Sequence, residues 1–131
     1  MTMLRKKMIS YEDAPDIRAK IESIIAAAGL AHIKQESLTC MRSRGTNSRR
    51  VIARCHALPR IMQKALGAVP HYVIEIVSER FDKLSEEERT KTLIHELMHI
   101  PKAFGGGFVH HNMVNAREVE KVWKKIAKGL L

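Results

Sequence analysis

Aromatic side chains are scarce: Phe, Trp and Tyr supply 5% of the 131 residues, so a core must be built from Ile, Leu, Val, Ala and Met. Long apolar runs are missing too. No stretch approaches the roughly 18 residues of a membrane-spanning helix, and none is expected. The start, MTMLRKKMISYEDAP, is basic but has no apolar run behind it. It does not read as a secretory signal, and the expected location is the cytoplasm. Cysteine is reduced to Cys40 and Cys55. Two are too few for a disulfide framework and fit a reducing compartment. With His56 they also lack the C-x-x-C spacing of a strong zinc site. There is no repeat, no low-complexity tract and no Pro/Gly-rich linker, so residues 1–131 are read as a single domain, long enough to bury a core.

Acidic residues are outnumbered, 14 against 23 basic ones, for a formal charge of +9. Five arginines fall close together: Arg42, Arg44, Arg49, Arg50 and Arg54. Smaller basic groups lie at Arg5, Lys6, Lys7 and at Lys121, Lys124, Lys125, Lys128. Such an excess favours an acidic partner, with DNA or another nucleic acid the commonest. Arg42, Arg44, Arg49 and Arg50 are the candidate contacts, although charge alone is a non-specific signal.

Periodicity gives alternating helices and strands. Tyr11 to Leu30 reads as a helix with Asp13 as cap, Pro15 in the first turn, a face of Ile17, Ile21, Ile24, Ile25 and Ala28, and Gly29 at the end. His32 to Arg44 reads as a strand, Gly45 to Ser48 as a turn and Arg50 to Cys55 as a returning strand, a hairpin with arginines at its tip. Pro59 to Leu66 is a short helix before Gly67. In His71 to Ser78, Tyr72, Ile74 and Ile76 share one strand face and Val73, Glu75 and Val77 the other. Ser85 and Glu88 form a capping box that opens a helix running to Pro101. A loop with three glycines follows, and a last helix starts near Asn115, paired with Glu118.

The helix from Ser85 carries H-E-L-M-H: His95, Glu96 and His99. Histidines four apart share a face and can offer two imidazole nitrogens to one tetrahedral Zn²⁺. Glu96 is turned about 100 degrees from His95, and can act as general base on zinc-activated water without being a ligand. A shuffled chain of this composition would show H-E-x-x-H roughly 3% of the time, so the setting must add weight. It does: the motif sits in a capped helix, and the flexible glycine loop delivers His110 and His111. A catalytic zinc needs a third protein ligand. His110 and His111 are the nearest candidates, with Glu118 and Glu120 the carboxylate alternatives. His32, His56 and His71 have no ligand spacing; His71 and Tyr72 remain only as candidate donors to an oxyanion.

The phrases ARCHALPRIMQKALG, HYVIEIVSERFDKLSEEER and HELMHIPKAFGGGFVHHN resemble the small metallopeptidases of archaea and phages, over roughly two-thirds of the chain. The resemblance implies a minimal zincin, SprT-like in outline, with His95 and His99 as ligands and Glu96 as the acid/base. It also implies His111 as third ligand, with His110 the alternative. The chain departs from the family pattern at Gly105, where Ser is expected, and at Cys55-His56, where an apolar-aromatic pair is expected.

The expected fold is α+β: a small twisted sheet with the first helix behind it and the H-E-x-x-H helix under it. The expected function is a zinc metallopeptidase acting on an extended protein or peptide substrate. The alternative is a nucleic-acid-associated protein with structural zinc, working through Arg42 to Arg54.

Overall fold

The structure, a computed structural model, describes residues 8–46 and 49–129. In chain order it forms strand β1 (Ser10–Asp13), helix α1 (Pro15–Ala28), a 3₁₀ turn at Gln35–Ser37, β2 (Leu38–Arg44), β3 (Ala53–Ala57), α2 (Arg60–Leu66), β4 (Tyr72–Val77), α3 (Ser78–Phe81), α4 (Glu86–Met98) and α5 (Ala116–Gly129). The class is α+β, a four-stranded mixed sheet packed with helices.

The most apolar strand takes the middle. Tyr72, Ile74 and Ile76 of β4 are fully buried, and Glu75 and Val77 on its other face are buried as well. A strand covered on both faces belongs inside a sheet, and the more polar ARCHA strand is left at an edge. The order is accordingly β1-β2-β4-β3. β2 and β4 run parallel with Cys40 opposite Ile74, while β1 and β3 flank them antiparallel. The expected hairpin between the strand ending at Arg44 and its return is therefore not formed, because β4 lies between β2 and β3. The arginines do not share one hairpin tip. Of the expected Gly45 to Ser48 turn, Asn47 and Ser48 lie outside the described residues, as do Arg5, Lys6 and Lys7.

The first helix starts later than its pattern implied. Tyr11 and Asp13 belong to β1, where they pair with Ser43 and Met41. Pro15 opens α1, its fixed φ suiting the first turn, and Ala14 rather than Asp13 is the N-cap. Beyond that start the helical face is buried as its spacing demands: Ile17, Ile21, Ile24, Ile25 and Ala28. Gly29 closes the helix at φ 67. The segment from His32 becomes a strand only at Leu38, since Gln35–Ser37 is a 3₁₀ turn whose Gln35 carbonyl accepts from Arg18 at 2.7 Å.

Leu38 and Cys40 share a sheet face with Tyr72, Ile74 and Ile76, and the helices supply Leu93, Ile94, Leu97, Val119 and Ile126 to the same cluster. α1 packs on β2 and α4 on β3, and both touch α5 and each other. The three long helices thus lie on one face instead of sandwiching the sheet. Each fully buried Ile or Leu contributes on the order of 1.5–3 kcal/mol. Cys40 and Cys55 both sit opposite Ile74, from β2 and β3. Two strand spacings, about 9–10 Å, separate them, which is beyond disulfide reach. Burial pushes their thiols up to about 11 and about 12. Among the described residues no helix is long and apolar enough to cross a membrane.

Candidate metal centre

The helix that presents H-E-L-M-H is fixed at both ends. The Glu88 N–H donates to Ser85 Oγ at 3.2 Å and the Ser85 N–H to Glu88 Oε1 at 3.1 Å, completing the expected capping box. Glu86, Glu87 and Glu88 sit in the first turn, where the helix dipole favours negative charge. Leu93, Ile94 and Leu97 anchor the buried side. α4 ends at Met98 with His99 as its C-cap, just before Pro101.

His95, His99 and His111 come together, with one ring nitrogen from each lying within 4.8 Å of the others. The Nε2 atoms of His95 and His99 are 3.3 Å apart. Two nitrogens each about 2.0–2.1 Å from a tetrahedral zinc would be about 3.3 Å apart, so this spacing fits a shared ion. His99 Nδ1 lies 2.6 Å from the Val109 carbonyl oxygen, which can only accept, so Nδ1 carries the proton and Nε2 keeps its lone pair. The Phe108 ring stacks on His99 at 4.4 Å and 13°. Burial, with the neighbouring histidine charges behind it, lowers the pKa of His95; burial also lowers that of His99. Both shifts favour the neutral imidazole that binds metal.

Glu96 lies beside this cluster. It is 6% exposed, and its Oε2 is buried without a hydrogen-bond partner among the described residues. Burial raises its pKa to about 7. A carboxyl group left unpaired in a buried site is costly and marks a candidate functional position. Three imidazole nitrogens beside a buried carboxyl oxygen that has no partner among the described residues are a donor set that suits a divalent metal with a polar group at its open side.

The other sequence candidates fall elsewhere. His110 is exposed and is not in the triad. Glu118 pairs with Lys121 at 3.2 Å, and Glu120 with Lys91 at 2.8 Å. Glu118 is also where the last helix is capped, its N–H donating to Asn115 Oδ1 at 3.0 Å. His71 hydrogen-bonds Thr39, His32 the Ile100 carbonyl, and His56 the carboxylate of Glu75. Tyr72 Oη donates to the Gly107 carbonyl at 2.8 Å, so its proton is already engaged and an oxyanion role is not open to it in this arrangement. Of the arginines, Arg42 pairs with Asp16, Arg44 with Glu12 and Arg54 with the buried Glu75. Arg49 and Arg50 are exposed.

A cleft of about 640 Å³ opens at His95, Glu96 and His111. Val51, Ile52 and Ala53, entering β3, form one wall; Thr92, His95 and Glu96 of α4 form the other, and His111 lines it as well. β3 is a sheet edge. The Val77 N–H donates to the Ile52 carbonyl and the Leu58 N–H to the His71 carbonyl, at 2.8 and 2.9 Å. Even-numbered residues of the strand therefore bond inward to β4, and the backbone groups of Ala53, Cys55 and Ala57 turn to the open side.

Two features escaped the sequence reading. The first is the burial of Glu75, which is 3% exposed. The glycine loop, expected to be flexible, uses Gly106 for close approach. Gly106 has φ 103, and a Cβ there would lie 2.5 Å from Gln63 Nε2 and 2.8 Å from the Leu58 carbonyl oxygen. The only hint in the sequence is that three consecutive glycines sit between two motif histidines.

A family model described as putative phage metallopeptidase matches residues 9–130. No curated protein and no solved structure matches the chain.

Proposed function

The chain belongs to the putative phage metallopeptidase family, and on that premise we propose that it is a zinc-dependent peptidase with His95, His99 and His111 as ligands and Glu96 as general base. The carrying observation is the convergence of three imidazole nitrogens within 4.8 Å beside a buried carboxyl oxygen that has no partner among the described residues. Zinc, when bound, supplies Lewis acidity that makes water a better nucleophile near neutral pH and polarises a carbonyl.

The chain's own residues do the rest. Glu96 is the acid/base in this reading because its buried Oε2 has no other partner among the described residues and is available to accept a proton and return it. Its carboxylate takes the proton of the attacking water and passes it to the leaving amine. The Val109 carbonyl holds His99 in the tautomer that offers Nε2. An extended peptide adds to the open side of β3, where the backbone of Ala53 and Cys55 faces the cleft side of the sheet edge. The test is Glu96→Gln assayed for peptide hydrolysis and metal content together. Retained zinc with lost hydrolysis is the expected result; equal turnover would remove Glu96 from the role of base. The nucleic-acid alternative gains no support from an arginine segment in which Arg42, Arg44 and Arg54 are already ion-paired.

A further inference from the structure

Tyr72 is an unusual core residue. Its ring is fully buried in the main cluster, 4.8 Å from Phe104, yet its hydroxyl reaches out of that cluster to the glycine loop. The Gly106 N–H donates to Tyr72 Oη at 3.0 Å, and Tyr72 Oη donates to the Gly107 carbonyl at 2.8 Å. Filling the core needs only a ring, so these two bonds are what the hydroxyl adds. From the other side, Gln63 Nε2 of α2 donates to the Gly105 carbonyl at 3.1 Å and to the Leu58 carbonyl at 2.9 Å. The loop passes so close here that only glycine fits at 106.

The clamped segment leads directly into the histidine cluster. Phe108, next after Gly107, stacks on His99. Val109 is bonded twice to His99: its N–H donates to the His99 carbonyl at 2.8 Å, and its carbonyl accepts from Nδ1 at 2.6 Å. His111 follows two residues later. We propose that Tyr72 and Gln63 are positioning residues for the metal centre: by clamping Gly105–Gly107 they set the orientation of His99 and the place of His111. The inference rests on the metal-binding reading of the triad. Neither residue touches the triad itself; each acts through the loop backbone.

The test is zinc affinity of the full chain by chelator competition, for wild type, Tyr72→Phe and Gln63→Ala, with thermal melting of each metal-free protein alongside. Tyr72→Phe keeps the ring in the core, and Gln63→Ala changes a partly exposed side chain on α2. Both should weaken zinc binding about tenfold, the range seen when groups supporting metal ligands are removed. A merely structural role would lower the melting temperature and leave the affinity of the folded chain unchanged. Unchanged affinity in both variants overturns the clamp while leaving the metal reading intact. A wild type that binds no zinc overturns the metal reading, and the inference with it.

Discussion

Two glutamates are buried to nearly the same degree, Glu75 at 3% exposed and Glu96 at 6%, and the protein treats them in opposite ways. Glu75, on the sheet face away from the long helices, accepts from Ser43 Oγ at 2.6 Å, and it pairs with Arg54 at 3.2 Å and His56 at 2.7 Å. Burial works to raise its pKa, but the Ser43 and His56 hydrogen bonds and the Arg54 charge outweigh burial and leave it lowered. Glu96, on the helix face, has no partner for Oε2 among the described residues, and burial raises it to about 7. One carboxylate is neutralised into the architecture. The other keeps an oxygen without a partner among the described residues, beside three histidines. Burial alone does not mark a carboxyl group as a functional candidate; burial without partners, next to a histidine cluster, does.

The largest way to break this contrast is Glu96→Gln, which should cut peptide hydrolysis by about 100- to 10,000-fold, the range for loss of a general base. The same substitution should leave unfolding by urea unchanged or move it up by as much as about 1 kcal/mol in the metal-free chain, because it removes an unpaired buried acid. Glu75→Ala should do the reverse. It should cost about 2 kcal/mol in urea unfolding, since Ser43 and Arg54 lose their acceptor, and leave zinc content unaltered.

The pH dependence sharpens the comparison further. The folded pKa of Glu75 lies below its ordinary value of 4.5, so the unfolded chain binds more protons in that window and stability rises with pH there. The Glu75 contribution is fully present above about 4.5 and is lost as pH falls through the lowered folded value. The stability gap between wild type and Glu75→Gln should therefore narrow below pH 4.5 and stay constant near neutrality, as urea midpoints at several pH values would show. The smallest effect is expected from Arg44→Ala, which removes an ion pair with both partners about half exposed. Its melting curve should overlay that of the wild type.

Local chemistry was readable in the sequence wherever it is encoded by neighbours. Pro15, Gly29, Pro59, Gly67 and the Ser85–Glu88 box mark real helix ends, and the Ile17–Ile21–Ile24 face is buried as its spacing requires. The histidines of H-E-x-x-H converge because helix geometry alone brings positions four apart together. What stayed hidden depends on partners far along the chain. β1 is four exposed residues with no apolar alternation, and it exists only because β2 offers an edge. The hairpin was misread because local turn signals between Arg44 and Arg50 do not reveal that β4 inserts between the flanking strands. The burial of Glu75 is hidden for the same reason, since its three partners come from β2 and β3. The glycines after Pro101 looked permissive, whereas Gly106 answers the steric demand of Leu58 and Gln63, some 40 residues earlier in the chain.

The central claim is that His95, His99 and His111 hold one metal ion, and elemental analysis of purified wild type, His95→Ala, His111→Ala and His110→Ala tests it most directly. The account predicts about one zinc per chain, lost in His95→Ala and His111→Ala and retained in His110→Ala. Absence of stoichiometric metal from the wild type, or its retention in His111→Ala with loss in His110→Ala, would contradict it.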